Sequence, residues 1–140
     1  IIEDDVKLYT YDLCKVFDEI NNYEINNNYD IFNGCPTFLL NNKYYCIKSK
    51  TNNDNIFNIK YSNKASFIIY NNTSYDLFLE LNPYICSPYS LDTFFGLVGL
   101  NIITYKNYIC TEIETISSVT NSDNNHLIDL IEQSRKLFLL

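Results

Sequence analysis

The stretch from Thr93 to Glu114 sets the tightest limits on how this chain can fold. It is the longest apolar run, broken once by the polar pair Lys106-Asn107, and it holds Gly96 and Gly99. Leu97 to Tyr105 and Tyr108 to Ile113 are rich in β-branched and aromatic residues, which suit a pleated, half-buried surface. Two such runs around a short polar break predict a β-hairpin. Gly96 and Gly99 fall where the backbone needs a positive φ, or where another backbone comes close.

Around this stretch, 140 residues suffice for one domain with one core. Thirteen Tyr and nine Phe favour β structure, and the fold class expected is α+β. The expectation is mostly antiparallel sheet with one or two short helices. The chain contains no Met, so it is expected to be a piece of a longer polypeptide; its start does not resemble a targeting segment. The net charge is −7, and the ten cationic residues, nine Lys and Arg135, are scattered. A nucleic-acid surface needs clustered Lys and Arg against phosphates, so no nucleic-acid partner is expected. The scattered charge also argues against strong binding of an anionic membrane by the segment itself. No apolar run approaches the ~20 residues of a membrane-spanning helix.

Taken in order, Lys7 to Tyr11 reads as a short strand. Asp12 caps a helix to Ile20, with Leu13, Val16, Phe17 and Ile20 at i, i+3, i+4, i+7. Residues 21–33 are Asn-rich and read as a loop, with room for a weak strand at Tyr23, Ile25, Tyr29 and Ile31. Gly34-Cys35-Pro36 is a turn signal. Thr37 to Leu40 and Lys43 to Lys48 predict a hairpin turning at Asn41-Asn42. Ile56 to Tyr61 and Ala65 to Tyr70 read as strands, and Tyr75 to Leu81 as strand or helix. Two prolines make residues 82–88 irregular. Ser90 caps a short helix ending at Gly96. Residues 117–125 are polar and loop-like. The segment from His126 to Leu140 is ambiguous, with Leu127, Leu130, Ile131 and Ser134 at helical spacing and Leu137 to Leu140 suited to a strand.

No catalytic constellation emerges, and neither a cofactor nor a metal ion is expected. The five cysteines, Cys14, Cys35, Cys46, Cys86 and Cys110, include no C-x-x-C pair, and His126 is the one histidine. Free, mostly buried thiols in a reducing compartment are the expectation. A cysteine phosphatase needs Cys-x5-Arg, so that backbone amides cradle the phosphate while Arg clamps it. Six residues beyond the cysteines stand Ile20, Asn41, Asn52, Asp92 and Ile116, none of them Arg. A Walker loop is missing as well. His126, beside Asp123 and Asp129, reads as a solvated or structural group rather than a triad base. Glu112 and Glu114 share one face of the predicted strand and read as a solvent-facing pair rather than acid–base partners.

At Phe95-Gly96-Leu97-Val98-Gly99 the chain resembles the N-terminal, non-catalytic half of Sac-type phosphoinositide phosphatases. In that family an aromatic-Gly-apolar-apolar-Gly element leads into an apolar strand. A tight turn, a Tyr-Ile second strand, a polar loop and a His before a further strand pair follow. The matching positions are Phe95, Gly96, Gly99, Leu100 to Tyr105, Tyr108-Ile109 and His126. Lys43 to Ile47, Phe57 to Lys60 and Phe67-Ile68 are similar to the family's opening strands. The resemblance covers about residues 43–140, and residues 1–42 form an extension outside it. It implies strands rather than helix for Leu127 to Ile131. Two departures stand out: Asn107 replaces the family's Gly, and Thr111-Glu112-Ile113-Glu114 replaces a basic run.

The resemblance implies a parent enzyme that removes phosphate from the inositol ring, through a Cys-x5-Arg loop beyond Leu140 and a phosphocysteine intermediate. This half would pack against the catalytic half of the same polypeptide, with the apolar face of the central hairpin as the contact. It carries no catalytic residue itself. The parent would work on a phosphoinositide membrane, at the cytoplasmic face of an endomembrane. The alternative is a stand-alone β-rich interaction module without catalysis.

Overall fold

Ile102-Ile103-Thr104-Tyr105 joins two β-branched apolar residues to a threonine and a tyrosine, and all four side chains are buried. In the computed structural model, which describes residues 1–2, 6–9, 12–26, 28–37, 47–60, 66–80, 95, 98–113 and 125–139, this segment is the middle strand of a five-stranded sheet. The described elements are β1 (Val6–Leu8), α1 (Leu13–Asn26), β2 (Ile31–Asn33), β3 (Ile47–Lys50), β4 (Ile56–Ile59), β5 (Ile68–Tyr70), α2 (Tyr75–Glu80), β6 (Ile102–Tyr105), β7 (Cys110–Glu112) and α3 (Asn125–Leu139). The large sheet runs β3-β4-β6-β2-β5, and β1 with β7 forms a separate two-stranded sheet. Of the four contacts in the large sheet, only β2 with β6 is parallel. The expected α+β class with mostly antiparallel strands is observed, with three α-helices among the described residues.

Register sorts the side chains of the large sheet onto two faces. Ile31, Phe32 and Asn33 stand beside Ile102, Ile103 and Thr104, while Ile56 to Ile59 run antiparallel along Tyr105 to Ile102. Successive side chains alternate between faces. Phe32, Ile103, Tyr105, Ile56 and Asn58 therefore share one face, and Ile31, Ile102, Phe57, Ile59 and Ile68 share the other. Helix α1 covers the first face. Its stripe Val16, Ile20 and Tyr23 is buried, and Glu19 Oε2 accepts hydrogen bonds from Tyr105 Oη at 3.1 Å and Asn55 Nδ2 at 3.0 Å. Asp12 caps the helix as expected, its Oδ1 accepting from Lys15 N at 3.2 Å. On the second face, Phe78 of α2 and Phe95 meet Tyr70 edge to face, with ring centroids 4.9 and 5.9 Å away.

Several expectations are corrected. The Asn-rich stretch is not all loop. Helix α1 continues to Asn26 because Tyr23 extends the apolar stripe begun by Val16 and Ile20. Ile31 to Asn33 is an inner strand, paired on both edges. The central hairpin does not form. Both edges of β6 are taken by β2 and β4, so β7 pairs with β1 instead. Asn125 to Leu139 is helical, against the strands implied for Leu127 to Ile131. Ile131 and Ser134 are buried three residues apart, and Glu132 and Arg135 pair at the same spacing. Tyr75 to Glu80, expected as either strand or helix, is helix. The expected hairpin at residues 37–48, the helix at residues 90–96 and the loop at residues 117–125 lie mostly outside the described residues.

The two sheets meet at Gly34 and Ile109. Gly34 N donates to Phe67 O at 2.9 Å, Ile109 N to Gly34 O at 3.0 Å, and Tyr9 N to Ile109 O at 3.0 Å. This line of peptide groups runs from beside β5 to the end of β1. A Cβ on Gly34 would lie 2.6 Å from Ile109 Cγ1 and 3.0 Å from Phe67 Cδ1, so only glycine fits. On the small sheet, Tyr9 Oη donates to Glu132 Oε1 of α3 at 2.5 Å, and Arg135 stands 5.6 Å over the Tyr9 ring. Burial, then the Glu132 carboxylate, pushes the Tyr9 phenol up to about 12. Burial opposes the charged form of Glu132, but the hydrogen bonds from Tyr9 and Arg135 outweigh it and lower its pKa.

Two outcomes are expected. Gly34→Ala should destabilise the fold by about 1–3 kcal/mol in urea denaturation, through overpacking against a β-branched buried neighbour. Glu132 holds its proton less tightly folded than unfolded, so its contribution is present above the ordinary carboxylate range and fades as pH falls through the lowered folded value. Glu132→Gln should therefore lower the melting temperature at pH 7, and the difference from the parent chain should shrink as pH drops below about 4.

Candidate functional site

The chain leaves β2 through an Asx turn. Asn33 is 1% exposed, and its Oδ1 accepts the Cys35 N–H at 3.0 Å. The Asn33 carbonyl in turn accepts from Thr104 Oγ1 at 2.8 Å. These contacts aim Gly34, Cys35 and Pro36 across residues 108–110. Tyr108 Oη donates to Pro36 O at 2.7 Å, and Ile109 N donates to Gly34 O. One residue further along each segment, Cys35 Sγ and Cys110 Sγ lie 3.0 Å apart. Both thiols are fully buried. Cys14, by contrast, is exposed on α1.

A second polar pair lies beside the thiols. Ser66 Oγ donates to Glu112 Oε1 at 2.9 Å, with Ser66 fully buried and Glu112 3% exposed. Glu112 is therefore not half of a solvent-facing pair: pairing of β7 with β1 turns its side chain inward. Glu114 lies outside the described residues. The contact with Cys110, burial and the charge of Glu112 push the Cys35 thiol well above its ordinary pKa, and only the Ser66 hydroxyl opposes them. Reactive nucleophilic cysteines sit in the opposite setting, beside cations or at helix N-termini. This pair is suited to chemistry that forms a neutral product between its two sulfurs.

The family-motif positions do not converge here as a group. Phe95 is buried at 2% exposure in the aromatic cluster of the second sheet face. Gly96 lies outside the described residues. Gly99 takes φ +81°, so its backbone needs glycine although its Cβ would meet open space. Tyr108 is fully buried and braces the Cys35 loop. His126 is exposed in the first turn of α3, which fits the solvated reading but not the loop. Among the described residues, no group of three or more His, Cys, Asp or Glu side chains could hold a metal ion. No described helix is long and apolar enough to cross a membrane. The thiol pair was not legible from the sequence, since Cys35 and Cys110 are 75 residues apart and only the sheet topology joins them. The glycine before Cys35 was the one local sign of a close approach.

No protein-family model matches the chain, and no curated protein or solved structure shows significant similarity to it.

Thiol exposure gives a direct check of the site. A short maleimide pulse on the native chain, followed by peptide mapping, should label Cys14 extensively and leave Cys35 and Cys110 unlabelled. All three should react once urea unfolds the chain kept reduced with dithiothreitol.

Proposed function

We propose that this chain is the N-terminal, non-catalytic half of a Sac-type phosphoinositide phosphatase. Its task is to support a catalytic half of the same polypeptide, which removes phosphate from the inositol ring at a Cys-x5-Arg loop outside this segment. The observation that carries the reading is the element around Gly99. Phe95 packs inward, Gly99 adopts φ +81°, and after Leu100 and the exposed Asn101 the chain enters the buried strand β6. That is the aromatic-Gly-apolar-apolar-Gly lead into an apolar strand on which the resemblance rests. The phosphoinositide membrane, at the cytoplasmic face of an endomembrane, would be reached by the parent polypeptide.

Helix α3 favours a second reading, because the family's strand pair after the His is absent at residues 125–139. In that reading the chain is a stand-alone β-rich interaction module without catalysis.

Phosphate release from short-chain phosphatidylinositol monophosphates separates the two. The first reading expects release by the full polypeptide and none by the 140-residue segment alone. If the full polypeptide is inactive on every monophosphate isomer, the first reading fails, and the interaction module or a Sac-like protein with a decayed catalytic half is left.

A further inference from the structure

We infer that Cys35 and Cys110 are a disulfide-forming pair that reacts with low-molecular-weight disulfides such as glutathione disulfide. The inference rests on geometry and is independent of the phosphatase reading. The two sulfurs are 3.0 Å apart, and a disulfide bond of ~2.05 Å requires them to close by only about 1 Å. The flanking backbone is already held for that closure. Ile109 N bonds Gly34 O, Cys35 N bonds Asn33 Oδ1, and Tyr108 Oη bonds Pro36 O. Both side chains are side by side in the core, so no long side chain has to be ordered to bring them together.

The surroundings favour the bonded form over the reactive one. A thiolate at this place is penalised by burial and by the Glu112 carboxylate. A disulfide is neutral and apolar and meets neither penalty. The same burial means that the oxidant reaches the pair during folding or through local opening of the small sheet. There one cysteine loses its proton, and its thiolate attacks a sulfur of the oxidant. The oxidant's S–S bond breaks, one small thiol leaves, and a mixed disulfide remains. The second cysteine, as thiolate, attacks the protein sulfur of that mixed disulfide and expels the other small thiol. Two protein thiols have then lost two electrons and two protons, and one disulfide has become two thiols.

Closure would tie residues 75 apart in the chain, across the place where the two sheets meet. Constraint of so long a loop in the unfolded chain should raise the melting temperature by roughly 10 °C relative to the reduced form.

The test uses the full 140-residue chain, unfolded in urea and refolded in a glutathione–glutathione disulfide buffer, so that burial cannot hide the thiols. After acid quench and maleimide blocking, a non-reducing peptide map should contain one species linking the Cys35 and Cys110 peptides. Dithiothreitol should release it and lower the melting temperature. The oxidant-dependent shift should persist in Cys14→Ser and vanish in Cys110→Ala. The map of the unsubstituted chain decides the matter even if Cys110→Ala fails to fold. Maleimide on both Cys35 and Cys110 would overturn the inference, as would a link from either to Cys46 or Cys86.

Discussion

The contact on which the rest of the structure depends is the close approach of Gly34 to Ile109. Its peptide group is used on both sides, donating to Phe67 and accepting from Ile109. Through it the antiparallel pair β2–β5 is joined to the pair β1–β7 without a break in hydrogen bonding. A Cβ at residue 34 would meet the Ile109 side chain at 2.6 Å, and that side chain would have to shift within a close-packed core. Everything beyond that contact, including the Tyr108 brace and the adjoining thiols, inherits its position from it.

The polar groups in this core are few and their arrangement is specific. Asn33 and Thr104 lie side by side in register on β2 and β6, and both are buried. Each has a hydrogen-bond partner that fixes chain direction: Asn33 turns the backbone toward Cys35, and Thr104 holds the Asn33 carbonyl. Ser66 and Glu112 serve the same purpose between the start of β5 and β7. A buried polar group left unpaired costs about 1–3 kcal/mol, so such pairs penalise slipped registers more than apolar neighbours do. The isoleucines around them supply burial energy but would tolerate several pairings.

Local signals in the sequence read well where local physics decides. The cap at Asp12, the stripe from Leu13 to Ile20, the strand at Ile56 to Ile59 and the glycine at residue 99 were all legible, because each depends on neighbours within one or two turns. Reading failed where distant partners decide. Leu100 to Ile113 has the composition of a hairpin, yet β2 and β4 claim both edges of β6, and nothing near residue 105 announces that. Asn-rich composition hid Tyr23 and Ile31 to Asn33, whose burial depends on partners far along the chain. Glu112 looked solvated because strand alternation fixes which residues share a face but not which face points inward. For the same reason Cys35 and Cys110 could be read as buried thiols but not as neighbours.

The placement of β2 has a consequence for how the chain reaches this structure. Its parallel partner is 71 residues away, Ile31 standing beside Ile102, and parallel pairing offers no turn from which to zip. The middle of the large sheet is therefore a high-contact-order element, formed only after a long loop has closed. On a ribosome, Ile31 to Asn33 would emerge early and wait for residue 105 with an apolar edge unpaired. Helix α1 packs on a face of the sheet and leaves that edge open, so until β6 arrives the edge is a place where another chain could pair.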